Sequence, residues 1–207
     1  MYLQRVNLFL RPWHPRYGAT DEEVRQAMPG DELVPHPKLT ATHASTINAS
    51  TGAIWPWLVQ IGQGRGGLYS YDWLEKKMGL NISNVDRILP EFQQLKAGDV
   101  ILLGPQGPQV PVSAVEPERF LVLGGSDPNI GDASWVFLLK PLDEQHTRLV
   151  VRMRADFKMP GIIAPMFHFS LEPVHFMMER KMLLNIKRLA EQTVAGQEDV
   201  SPRHYTA

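Results

Sequence analysis

The chain has 207 residues, 43% of them apolar and 21% charged, with 21 Lys and Arg set against 22 Asp and Glu. That is the composition of one folded domain with additions, and it excludes disordered and collagen-like classes. A net charge of −1 offers no basic field for a phosphate backbone, so nucleic acid is not an expected partner, and the absence of cysteine removes disulfides, thiolate metal sites and a cysteine nucleophile.

Residues 1–39 are broken by Pro12, Pro15, Gly18, Pro29, Gly30, Pro35 and Pro37, and are read as an extension that packs on the domain. Its best apolar run, residues 6–10, contains Asn7 and stops at Arg11 and Pro12, far short of the roughly 20 residues of a membrane span. With neither a leader nor an integral membrane segment in view, the expected location is cytoplasmic. Within the extension, Thr20 and Glu23 have capping-box spacing, which predicts one short helix closed by Pro29-Gly30.

The domain proper is expected over residues 40–195, followed by a flexible tail over 196–207. Residues 40–47 read as a strand, and Ser50 and Thr51 offer helix caps before the apolar stretch at Ile54. Proline is tolerated in a first helical turn, so Pro56 predicts a helix beginning near Ala53 or Ile54. A second short helix is expected over 70–78, stopped by Gly79. Five apolar runs follow, over 100–103, 110–115, 120–123, 134–140 and 147–157, and their short connections predict antiparallel pairing.

Alternation places Trp135, Phe137 and Leu139 on one face, and Leu149, Val151, Met153 and Ala155 on one face, with Arg148, Arg152 and Arg154 opposite on a side expected to be wet. The simplest reading of those arginines is a solvated surface, and a membrane-facing patch is the minor alternative. The last element is a long helix over 172–192, with Pro173 at its start.

These elements describe an α+β fold in which a curved antiparallel sheet wraps a long C-terminal helix. The order resembles the SRPBCC or START-like superfamily, which includes the birch-pollen allergen, lipid-transfer domains and aromatic polyketide cyclases. The resemblance spans about residues 18–192 and rests on three runs: Ile54-Trp55-Pro56-Trp57-Leu58-Val59-Gln60-Ile61-Gly62, Gly64-Arg65-Gly66-Gly67-Leu68-Tyr69-Ser70-Tyr71-Asp72-Trp73-Leu74, and Met178-Glu179-Arg180-Lys181-Met182-Leu183-Leu184. The second marks a bacterial branch without assigned function. What the resemblance implies is a helix-grip fold with a deep apolar cavity between sheet and helix.

Projected at about 100° per residue, the long helix carries Val174, Met178, Met182, Leu183, Ile186 and Leu189 on one arc, with Arg180, Lys187 and Arg188 outside it. His175 and Glu179 fall inside the arc one turn apart, an unusual place for ionisable groups. They are the candidate catalytic pair, or the polar contacts that orient a ligand; the plainer reading has Glu179 bonded to Arg65, Arg87 or a tyrosine to hold the helix.

Residues 62–67 satisfy the Gly-x-Gly-x-x-Gly string with Asp86 downstream, but no βαβ unit surrounds them, so a nucleotide is not expected. The glycines are read instead as a tight loop presenting Arg65, Tyr69, Tyr71 and Trp73 to a cavity mouth, where Arg65 meets a ligand anion or pairs with Asp72 or Glu179. Glu172 and His175 have the spacing of half a di-iron motif without the second half, so a metal is not expected, nor is a cofactor, and no Gly-x-Ser-x-Gly elbow marks a serine nucleophile. Trp55 and Trp57 read as packing residues.

The expected ligand-binding set is Arg65, Tyr69, Tyr71, Trp135, Phe137, Met153, His175, Met178, Glu179 and Met182, around a small lipid-like or polycyclic apolar ligand. Binding or carriage is the leading expectation. The alternative is a cyclase or aromatase type of enzyme in which His175 or Glu179 moves a proton and Arg65 or Tyr69 stabilises an oxyanion. A structural or interaction protein, its core filled by its own Trp and Met side chains, is the third.

Overall fold

A computed structural model describes residues 14–77, 79, 82–105, 108–128, 131–158 and 164–200, with side chains of the last helix described over 173–196. The helices are α1 (Asp21–Arg25), α2 (Thr51–Val59), α3 (Asp72–Lys77) and α4 (Ala164–Val200). The strands are β1 (Leu39–Ile47), β2 (Val100–Leu102), β3 (Gln109–Glu116), β4 (Phe120–Asp127), β5 (Gly131–Pro141) and β6 (Thr147–Phe157). They form one six-stranded antiparallel sheet in the order β1-β6-β5-β4-β3-β2. The sheet curves around α4, which packs on α2 and β1. This is the helix-grip arrangement. Among the described residues no helix is long and apolar enough to cross a membrane.

Alternation decides what the sheet buries. Leu121, Leu123, Phe137, Leu139, Leu149 and Val151 point inward and share a core with Trp57, Leu58 and, from α4, Met182, Leu183, Ile186 and Leu189. The intervening residues Val122, Val136 and Val150 point outward. They are not wet. Met28 and Ala44 complete a second apolar cluster there, with Leu33 packed against it, so the segment before β1 roofs the outer face.

The three arginines expected on a solvated side are the hooks of that roof, which corrects both the wet face and the membrane patch. Arg148 grips Glu23 with two bonds of 2.8 Å and donates to the Gly18 carbonyl at 2.6 Å. This contact pulls the Glu23 carboxyl below its ordinary value and raises the Arg148 guanidinium. Arg154 pairs with Asp31 at 3.2 Å. Arg152 is 2% exposed and donates to Thr42, to Asp31 and to the carbonyls of Glu23, Val24 and Gln26.

Several boundaries differ from those expected. The capping box of Thr20 and Glu23 forms, but α1 ends at Arg25 rather than running to Pro29, because Arg152 takes the carbonyls of its last turn. Helix α2 starts at Thr51, earlier than Pro56 suggested: the Ser50 side chain caps the Ala53 amide, and proline sits inside the helix. Helix α3 begins at Asp72, and Met78 of the expected span lies outside the described residues. Strand β4 runs past Leu123 through Gly124 and Gly125. Helix α4 starts at Ala164, so Pro173 is interior. The expected tail overlaps the end of α4, and residues 201–207 lie outside the described residues.

Strand β1 is a sheet edge, and the roof closes part of it. The Ala44 amide donates to the Tyr17 carbonyl at 3.0 Å. Gly18, at φ +69°, lies so close to β1 that a Cβ there would stand 2.2 Å from the Ala44 carbonyl oxygen.

Candidate functional site

Between the inner face of the sheet and α4 lies a cavity of about 400 Å³. Its wall is mostly apolar: Leu68, Val110, Leu123, Trp135, Met153, Phe157, Met178 and Met182 line it. The inward register of β5 and β6 delivers Trp135 and Met153, which are directly paired across the two strands. One-turn spacing on α4 brings Met178 and Met182 to the same wall. Gly124 and Gly125 contribute bare backbone opposite.

Among the described residues, the ionisable groups of the wall are Asp127, His175 and Glu179. Glu179 is 3% exposed and lies between two imidazoles: its Oε1 is 3.4 Å from His43 Nδ1 and its Oε2 is 3.5 Å from His175 Nδ1. His43 is fully buried, while the His175 ring is 40% exposed. Behind them, His43 packs edge-on against Phe176 and Tyr17, and Arg180 stacks over the Tyr17 ring. Neither Glu179 carboxyl oxygen has a hydrogen-bond partner among the described residues, and the two imidazoles are the group's neighbours at ion-pair distance. The His175 ring stays partly exposed beside this carboxyl group, a pairing in which a histidine can accept or give a proton.

The expected site residues divide cleanly. Trp135, Met153, His175, Met178, Glu179 and Met182 are on the wall. Arg65, Tyr69, Tyr71 and Phe137 are not among the residues that line it. Phe137 is core behind Trp135, with ring centroids 4.7 Å apart. Tyr71 carries Lys181 over its face and tilts against Trp73, which is 60% exposed. Arg65 meets neither Glu179 nor Asp72; it donates to the carbonyls of Val59 and Phe92 and stacks on the Phe92 ring at 4.4 Å. Burial draws its guanidinium below the ordinary value, with Asp99 opposing.

Tyr69 is a buried keystone of the glycine loop. It is held at φ +54°, a costly conformation for a large side chain, by its amide donating to Asn84, by its carbonyl accepting from Asn185 at 2.7 Å and by its hydroxyl accepting from Gln60 at 2.8 Å. Burial pushes its phenol far above its ordinary value. The loop closes on itself through reciprocal bonds between Gly62 and Gly67. Gly67 has φ +87°, and a Cβ there would meet the Asn84 Oδ1 at 2.4 Å. Gly67→Ala is therefore expected to cost about 1–3 kcal/mol in urea denaturation through strain and the displaced Asn84. The glycines serve packing against Tyr69 and Asn84, and no βαβ unit surrounds them.

His43 escaped the sequence reading. A signal was present: counting back by twos from the inward Ile47 puts His43 on the inner face of β1. Three further polar groups on wall residues, Trp135 Nε1, Ser70 Oγ and Ser134 Oγ, are buried without a hydrogen-bond partner among the described residues.

No family model matches the sequence, and neither does any curated protein. Solved structures of similar shape exist. The Zhui aromatase/cyclase from Streptomyces sp. R1128 is 15% identical, with 75% of this chain and 95% of that one covered and a TM-score of 0.46. The Aha1 dimer from Colwellia psychrerythraea is 18% identical, with 74% and 96% covered and a TM-score of 0.42. Protein MLL2253 from Mesorhizobium loti is 15% identical, with 75% and 98% covered and a TM-score of 0.43. The likeness is confined to the chain trace.

Proposed function

We propose that this chain binds and carries a small, largely apolar molecule in the cavity between sheet and α4. The observation that carries the reading is the cavity itself: about 400 Å³, walled by Leu, Val, Trp, Phe and Met, with a few polar groups among them, including the neighbouring His175 and Glu179. That volume falls in the range of small-molecule sites, and a mostly apolar wall with convergent polar groups is their usual chemistry. Met178 and Met182 add walls that adapt to shape. Described side chains leave this space unfilled, which speaks against a closed structural core.

The test is native mass spectrometry of the purified protein with denaturing extraction, paired with thermal unfolding against a panel of lipid-like and polycyclic compounds. A binder present at about 100 times its Kd is expected to stabilise the native state by about 2.7 kcal/mol. Met178→Trp, which fills the cavity from a half-buried position, is expected to keep the fold and lose that stabilisation. No co-purifying molecule and no ligand-dependent rise in Tm across the panel would overturn the reading.

An acid–base enzyme of the cyclase or aromatase type is favoured by one observation, the carboxylate held between two imidazoles. It lacks the oxyanion partners expected for it, since Arg65 and Tyr69 are engaged elsewhere. Glu179→Gln separates the two: a carrier keeps its affinity, whereas an enzyme loses turnover with binding retained.

A further inference from the structure

The charges around the cavity narrow the ligand further. Its wall holds two carboxylates, Glu179 and Asp127, and one imidazole, and no lysine or arginine among the described residues. The segments outside the described residues between positions 78 and 172 contain no lysine or arginine either. The nearby cations are engaged elsewhere. Arg65 donates to backbone carbonyls on the far side of the loop, Arg180 lies over the Tyr17 ring, Lys181 lies over the Tyr71 ring, and Lys158 donates to the Pro128 carbonyl.

An anionic head group entering this space leaves water and meets no lysine or arginine on the described wall. A buried anion without a paired cation is strongly disfavoured, and like charges across an interface are costly. A hydroxyl has no such difficulty. A ring nitrogen of the partly exposed His175 can accept its proton, and the unpartnered Trp135 Nε1 is a donor on the same wall for the hydroxyl oxygen.

We infer that the cavity selects uncharged apolar ligands bearing an alcohol or phenol group and rejects the matching carboxylates, with His175 as the residue that reads the head group. This rests on the ligand-binding reading and deepens it.

The experiment compares pairs that share a hydrocarbon body and differ in the head: 2-naphthol with 2-naphthoate, 1-dodecanol with dodecanoate, and retinol with retinoate, titrated at pH 7.5 against the full chain by tryptophan fluorescence. For the pair that fits best, the alcohol or phenol is expected to bind at least about tenfold more tightly than the carboxylate, a difference of about 1.4 kcal/mol. His175→Leu should bring the alcohol's affinity down to that of the parent hydrocarbon, while His175→Gln, which keeps a hydrogen-bond acceptor, retains part of the preference. Circular dichroism on both variants confirms folding, which the partly exposed position allows. Equal or tighter binding of the carboxylates, or an unchanged preference in folded His175→Leu, overturns the selectivity and leaves the carrier reading standing. Failure of all six compounds to bind the wild type overturns the carrier reading together with it.

Discussion

Arg152→Ala is expected to destabilise the protein by about 3–5 kcal/mol, the cost of removing one partner from a buried charged network. The guanidinium is 2% exposed and is enclosed on every side by acceptors: Thr42 on β1, Asp31, and three carbonyls of α1 and its C-cap. Truncation leaves those carbonyls and the Asp31 carboxylate without their donor in a site closed to water. Arg152→Lys keeps the charge but loses the planar fork, and should fall between the two. Urea denaturation measures the loss. Limited proteolysis supplies a second readout, because Arg152→Ala should release the roof and expose residues 19–37 to cleavage before the sheet unfolds. A loss below about 1 kcal/mol, the value of an exposed ion pair, would mean that the roof is held by its apolar contacts alone.

The second large effect concerns Glu75 on α3, which is fully buried. Burial first, and then the neighbouring Asp72, push its carboxyl up to about 7, with the Asn84 hydrogen bond opposing. The folded state thus holds a proton that the unfolded chain releases nearer the ordinary 4.5. The contribution of this group to stability is therefore greatest below about pH 4.5, falls as pH rises through the interval up to about 7, and stays reduced above it. Glu75→Gln removes the titration and keeps an acceptor for Asn84. It is expected to be more stable than the wild type by about 3 kcal/mol at pH 8, and close to it at pH 4.5. Urea denaturation at the two pH values decides: a difference that does not change with pH would show that the carboxyl is not charged in the cost of folding.

Why some of this was legible in the sequence and some was not follows from the range of the interactions. Strand β6 was readable end to end because Leu149, Val151 and Met153 alternate with arginines. The Thr20 cap was readable because its partner is three residues away. Alternation tells which side of a strand faces away from the core, but not what covers that side. The cover over Arg148 and Arg152 comes from residues about 125 positions earlier, and nothing in the local pattern of β6 announces it. Pro56 and Pro173 misled for a related reason: a missing amide costs one hydrogen bond, and packing of the surrounding helix outweighs it.

At the site, helical spacing placed His175, Met178, Glu179 and Met182 together correctly, because one-turn neighbours on a buried arc share a wall. The glycine loop was harder. An arginine among glycines resembles an anion clamp whichever way it points, and the direction of Arg65 is set by the carbonyls of Val59 and Phe92. Glu179 was recognised as a buried charge, but its partner His43 sits 136 positions away on the sheet edge.

The pinning of the roof to β6 also orders the assembly of the chain in time. Residues 18–31 bond to residues 148–154 across separations of 121 to 130 positions, and β1 pairs with the same strand along its whole length. During synthesis these early segments have no complete docking surface until β6 has been made, since only their contacts to β4 and β5 come earlier. The β2 to β5 meander has its strand partners close in sequence and can form sooner. Meanwhile Met28, Leu33 and the open side of β1 wait uncovered, so the nascent chain passes through a window in which a chaperone, or another nascent chain, can reach them.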